Sequence, residues 1–250
     1  MAKNVWNKEK AEKRIATRFN EVKTIEIKDY VRDTDLHSLP RSKAYRVDGV
    51  HLYADILNLG EMLQSTEVEG TTCHKRTLRF LNLHQRAVHR ILGAVDAIKV
   101  DFHNQRLHAV IAKPYGDEAG RVHRAVAIGQ LIIDVLAETG ENGDEHIPAA
   151  KVRIGIDTGK ALAVRNGRRG STEPLFLGEP ANHAAKRAGG GTATGIYLTN
   201  VARTAINLDE VSNEDAFALG ATDIATSQEE ADLPISADTV LRDWRKDLEA

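Results

Sequence analysis

Two long stretches of helical periodicity flank a short pair of apolar runs that turn back on themselves, and this leaves few folds open. The helical stretches are Thr72 to Gly93, with Leu78, Leu81, Val88, Ile91 and Leu92 on one side, and Val122 to Glu138, with Val126, Ile133 and Leu136. Between them DAIKVDFHNQRLHAVIAK breaks at His103-Asn104-Gln105, which predicts a β-hairpin. Upstream, Val50 to Ile56 follows the turn signal Asp48-Gly49 and reads as a buried strand, with Leu57 to Leu63 continuing at helical spacing.

Downstream, KVRIGIDTGKALAV is strand-like, RNGRRGSTE is a turn, and PLFLGE leads into a helix opened by Pro180, where a missing N–H is harmless. GIYLTNVARTAI reads as a strand running into a helix. Strands interleaved with helices around an antiparallel hairpin predict an α+β fold of ferredoxin-like or palm type, a mostly antiparallel central sheet with helices packed on it. The whole chain, 1–250, is expected to be one domain with a core of about 44–208. Residues 1–43 form a lead-in that starts with an amphipathic helix, and 209–250 an acidic loop and a final helix.

Charge narrows the partners. The formal net charge is −2, so no global basic field attracts nucleic acid or a membrane surface. The lone Cys73 excludes an internal disulfide and a multi-cysteine zinc site. With no apolar leader segment and no run of membrane-spanning length, the expected location is the cytoplasm.

Two acids stand out. Asp55 and Asp101 each interrupt an apolar run, and the topology is expected to bring their strands side by side. An unpartnered carboxylate there is costly to desolvate. Either both lie at exposed strand ends, or a hard divalent cation such as Mg²⁺ or Mn²⁺ compensates them, with phosphates and water completing its shell. In LGEPANHAAKR, Asn182 and Lys186 fall one turn apart on one helix face.

ADILNLGEML, VRIGIDTGKALAV and LGEPANHAAKR together resemble, in order, three segments of the class III nucleotidyl cyclases. The resemblance implies two metal ions, with Asp55 binding both and the Ile56 carbonyl assisting. It implies that the amides of Leu57, Asn58, Leu59 and Gly60 meet the triphosphate. Asp101 is taken as the second metal carboxylate; an alternative alignment places Asn104-Gln105 there, where a neutral amide cannot match a carboxylate. Asn182 would orient the ribose and Lys186 the reacting phosphate. The family has arginine at that place, and lysine supplies charge without the planar fork.

The positions that read a purine in the family fall on Ala97 and Leu175, neither of which can hydrogen-bond a base edge. The chain is similar in this respect to the bacterial Pycsar antiphage cyclases, which make cyclic UMP or cyclic CMP. That resemblance implies a UTP-preferring homodimer with shared sites and a separate effector that senses the product. Tyr53, with Tyr45 and Arg46 nearby, could wall the smaller base. A cyclase-fold module that binds nucleotide without turnover stays open, favoured by Gln105 and Lys186. The glycines Gly189 to Gly191 read as a helix end, not a phosphate loop, and Arg165, Arg168 and Arg169 as a solvated turn.

Overall fold

The structure, a computed structural model, describes residues 6–249 apart from 33–34, 41, 65–70, 104, 144–148 and 169–170. Asn104 and Arg169 therefore lie outside the described residues.

Among the described residues seven strands form one sheet: β1 (Glu26–Asp29), β2 (Lys43–Ile56), β3 (Ile98–His103), β4 (Arg106–Ile111), β5 (Val152–Arg168), β6 (Ser171–Leu177) and β7 (Gly195–Leu198). Their main order is β3-β4-β2-β5-β6, antiparallel throughout, with β1 parallel to the start of β2 and β7 parallel to the start of β5. The helices are α1 (Lys8–Lys23), α2 (Leu59–Gln64), α3 (Thr71–Ala94), α4 (Glu118–Gly143), α5 (Glu179–Gly189), α6 (Asn200–Ala205), α7 (Ala221–Ala231) and α8 (Ala237–Glu249). The α+β fold, the hairpin and the two long helices are as the sequence predicts.

Strand alternation sorts β2 into two faces. Val50, Leu52, Ala54 and Ile56 enter the main core with Val88, Ile91 and Leu92 of α3 and Val122, Val126 and Ile132 of α4. α4 is apolar on most of its circumference because α7 and α8 cover the side it turns away from the sheet. The odd-numbered residues of β2 face the other way, toward a smaller core of Tyr45, Val47, Val110, Ala161, Ala163 and Phe176.

Three expectations are corrected. Asp48-Gly49 is no turn: β2 runs through it, with Gly49 paired to Gly159. An added Cβ at Gly49 would come within 3.3 Å of Val110 Cγ1, so the glycine reflects close strand packing, not chain reversal. RNGRRGSTE is mostly strand, since β5 continues to Arg168 and β6 resumes at Ser171. The acidic segment after 209 contains α7, which packs on α4.

Candidate active site

Asp55 and Tyr53 lie on the face of β2 away from α3 and α4. The β2–β4 register sets Tyr53 opposite His108 and Asp55 opposite Arg106. The β3–β4 register sets Asp101 beside His108 and His103 beside Arg106. Paired residues share a face, so Asp55, Tyr53, Arg106, His108 and Asp101 form one surface. The acid-bearing strands are not neighbours, however, because β4 runs between them. Strand spacing then puts the two acidic Cα atoms about 12 Å apart. Asp101 is exposed and sits mid-strand beside a register shift, not at a strand end.

Asp55 is only 6% exposed. Its Oδ2 accepts from Arg106 Nε at 3.2 Å and from Arg106 Nη2. Its Oδ1 is buried with no hydrogen-bond partner. A buried carboxylate oxygen without a donor is costly, and a hard cation is the kind of group that fits it. Arg106 does not close the site, since its side chain is 40% exposed and both its bonds go to one oxygen. Among the described residues no group of three or more His, Cys, Asp or Glu converges on one point. Any ion here would depend on one or two carboxylates plus ligand oxygens.

The base-wall candidates separate. Tyr53 is half-buried and stacks on His108 with centroids 4.2 Å apart and planes 11° apart. His108 Nε2 lies 3.0 Å from His51 Nδ1. Burial pulls the His51 pKa down to about 4, and burial with the neighbouring His51 takes His108 to about 3, so both rings are neutral near pH 7. Burial also raises the pKa of the Tyr53 phenol, which keeps it a neutral donor. Ala97, by contrast, is buried in the core on the helix side, and the structure does not bring it together with Tyr53. Leu175 is half-buried on β6, one residue before Phe176, so alternation turns it to the face opposite Phe176 and His51. Tyr45 and Arg46 lie near the start of β2, ten and nine residues and at least about 30 Å from Asp55.

Of the amides beyond β2, Leu57 N–H donates to the Lys151 carbonyl at 2.7 Å and is already committed. Asn58 is 3% exposed and structural, its side chain donating to Ala149 O and accepting from Lys151 N–H. Ile56 pairs with Val152 and donates its N–H to the Gln105 carbonyl at 3.2 Å, which brings Gln105 beside the end of β2. Leu59 and Gly60 open α2.

α5 crosses the face that carries Asp55. Gly155, paired with Tyr53, allows this: a Cβ there would lie 2.1 Å from the Ala184 carbonyl oxygen and 2.4 Å from Ala188 N. At its far end, an added Cβ on Gly189 would lie 2.9 Å from Arg106 Nη2. α5 is locked by residues that the sequence reading overlooked. Asp157 is buried and accepts from Thr199 Oγ1 and the Thr158 N–H, and His183 Nδ1 lies 3.1 Å away. Burial raises the Asp157 pKa, partly offset by these bonds. Arg153 is buried and donates to the carbonyls of Arg187, Ala193 and Asp215, placing a cation at the helix C-terminus. Arg187 pairs with Glu214 at 3.2 Å and Asp215 at 3.0 Å, so it is held away from the opposite, exposed side that Asn182 and Lys186 occupy.

The fold is that of the class III nucleotidyl cyclase family. The chain is similar to a uridylate cyclase of Pseudomonas aeruginosa, 61% identical over 247 residues, which cover 97% of this chain and 48% of that protein. A uridylate cyclase of a Rhizobium species is 36% identical over 185 residues, 73% of this chain and 35% of that one. The solved structure of a class III adenylyl cyclase-like ATP-binding protein from Pseudomonas aeruginosa superposes with a TM-score of 0.90 at 60% identity, covering 100% of this chain and 53% of that one. The chain thus spans about half the length, or less, of the relatives it matches. No protein-family model matches it. No helix among the described residues is long and apolar enough to cross a membrane.

Proposed function

We propose that the chain is a pyrimidine nucleotide cyclase that converts UTP to 3′,5′-cyclic UMP and pyrophosphate and signals in antiphage defence, where a separate effector reads the product. The observation that carries the proposal is the buried, half-satisfied carboxylate of Asp55, in a chain 61% identical to a protein named uridylate cyclase. Asp55 and Asp101 would hold two Mn²⁺ or Mg²⁺ ions, which when bound acidify the ribose 3′-hydroxyl and neutralise the triphosphate. The protein's own part is positional. Tyr53, fixed by its stack on His108, walls the base; Asn182 holds the ribose; Lys186 faces the phosphate being attacked. In-line attack of the 3′-oxygen on the α-phosphorus then expels pyrophosphate, with no covalent intermediate.

Asn182 and Lys186 look outward from α5, and Asn182 lies seven residues, about 10 Å of helix, from the end of α5 at Arg106. This supports a homodimer in which the acids of one chain meet the α5 residues of its partner. The second reading, nucleotide binding without turnover, is favoured by the Arg106–Asp55 pair and by the neutral Gln105 beside the strand end. Incubation of the purified protein with each of the four NTPs and Mn²⁺ decides between them. Cyclic UMP with equimolar pyrophosphate supports the proposal, cyclic CMP alone moves it to CTP, and binding without product supports the second reading.

A further inference from the structure

A cleft of about 300 Å³ opens at the other end of β2 from Asp55. It is lined by Arg46 and Asp48 of β2, Lys160 of β5, Arg121 of α4, and the Tyr30 and Tyr115 rings. Asp48 precedes Asp55 by seven residues, so the two point to opposite faces and lie about 23 Å apart. The cleft is therefore separate from the candidate active site.

Its charges do not balance. Among the described residues that line it, Arg32, Arg46, Arg121 and Lys160 face Asp29 and Asp48, and both acids are already engaged. Asp29 pairs with Arg46 at 3.4 Å, and Asp48 with Arg121 at 3.0 Å. Arg121 is nearly inaccessible. Nη1 donates to the Pro114 carbonyl and Nη2 to Asp48, while its Nε is buried with no acceptor. Arg32 rests over the Tyr115 ring at 5.6 Å, and Lys160 has no ion pair among the described residues. The Tyr30 and Tyr115 hydroxyls are 2.9 Å apart, and burial with that bond raises the Tyr30 pKa, so the wall stays neutral.

We infer that this cleft binds a small phosphate-bearing anion, with Arg32 and Lys160 as its mobile cations and Arg121 as its fixed floor. Two positive charges unmatched among the described residues, above a buried guanidinium, call for a multivalent oxyanion. The volume admits pyrophosphate or a nucleoside monophosphate. The inference stands apart from the proposed cyclase activity.

Isothermal titration calorimetry in EDTA, which removes metal-dependent phosphate binding at Asp55, tests it with inorganic phosphate, pyrophosphate and UMP as probes. The expected result is one saturable site per chain, weakened about tenfold by Arg32→Gln and again by Lys160→Gln, and kept in Asp55→Asn. These surface substitutions spare the buried Arg121 and leave folding intact. UMP binding tighter than phosphate identifies a nucleotide held against the tyrosine wall, and equal affinity identifies the free anion. Heats that never saturate, or affinity unchanged in the Arg32→Gln/Lys160→Gln double variant, overturn the inference.

Discussion

Arg106 stands directly opposite Asp55 on β4 and donates two hydrogen bonds to one of its oxygens, leaving the other buried and free. The guanidinium thus stands beside the place where a cation would come if Asp55 holds metal, and its charge repels that ion. Arg106→Gln should bind Mn²⁺ about tenfold more tightly, read by the loss of free-ion paramagnetic resonance signal. Because Arg106 is 40% exposed, solvent screens the pair, and without metal the variant should lose only about 1 kcal/mol of stability. Unchanged Mn²⁺ affinity would mean that the arginine and the ion do not compete.

Gly155 is where α5 meets the sheet with no room to spare. Gly155→Ala must push α5 off β5, since the atoms it meets are backbone and not flexible side-chain ends. The expected cost is about 3 kcal/mol in urea unfolding, with activity falling further than stability because Asn182 and Lys186 move with the helix. A near-neutral result would show that α5 is not rigidly seated.

The His51–His108 pair makes stability depend on pH. Both rings have folded pKa values below the usual histidine value, so the unfolded chain binds their protons more readily. Stability from this pair is present above about pH 6.5 and falls with acidification until about pH 4, where His51 titrates in the folded state. Each ring should contribute about 1 kcal/mol per pH unit within that window. Urea midpoints at pH 7.5, 6 and 5 check this, and a His108→Phe variant should flatten the slope.

If sites are shared between chains, mixing Asp55→Ala with Asn182→Ala protein should restore activity, because one of the two sites in a mixed dimer has both wild-type halves. Up to a quarter of wild-type turnover is expected from random pairing, by counting intact sites. Mixtures as silent as their components would contradict a shared site.

Much of this was legible in the sequence, and the failures share a physical cause. The hairpin, α3, α4 and the helix entry at Pro180 follow from periodicity and local backbone chemistry. Asp48-Gly49 misled because a glycine demanded by strand packing looks like a turn glycine until its partner Gly159 is known. Asp55 was visible as an acid in an apolar run, but Arg106 was not visible as its partner. The pairing depends on strand order, which placed β4 between Asp55 and Asp101. The same holds for Asp157 and Arg153. Each looked like one more charged residue on a strand, and each holds α5 in place through contacts distant in sequence.

The central claim is that Asp55 is the acid on which UTP cyclisation depends. The direct measurement compares cyclic UMP formed from UTP and Mn²⁺ by wild-type and Asp55→Asn protein, both shown to be folded by circular dichroism. The account predicts cyclic UMP from the wild type and at least a hundredfold less, on the order of 3 kcal/mol in barrier, from the variant. Equal product from the two proteins would contradict it, as would a folded wild type that binds UTP and makes none.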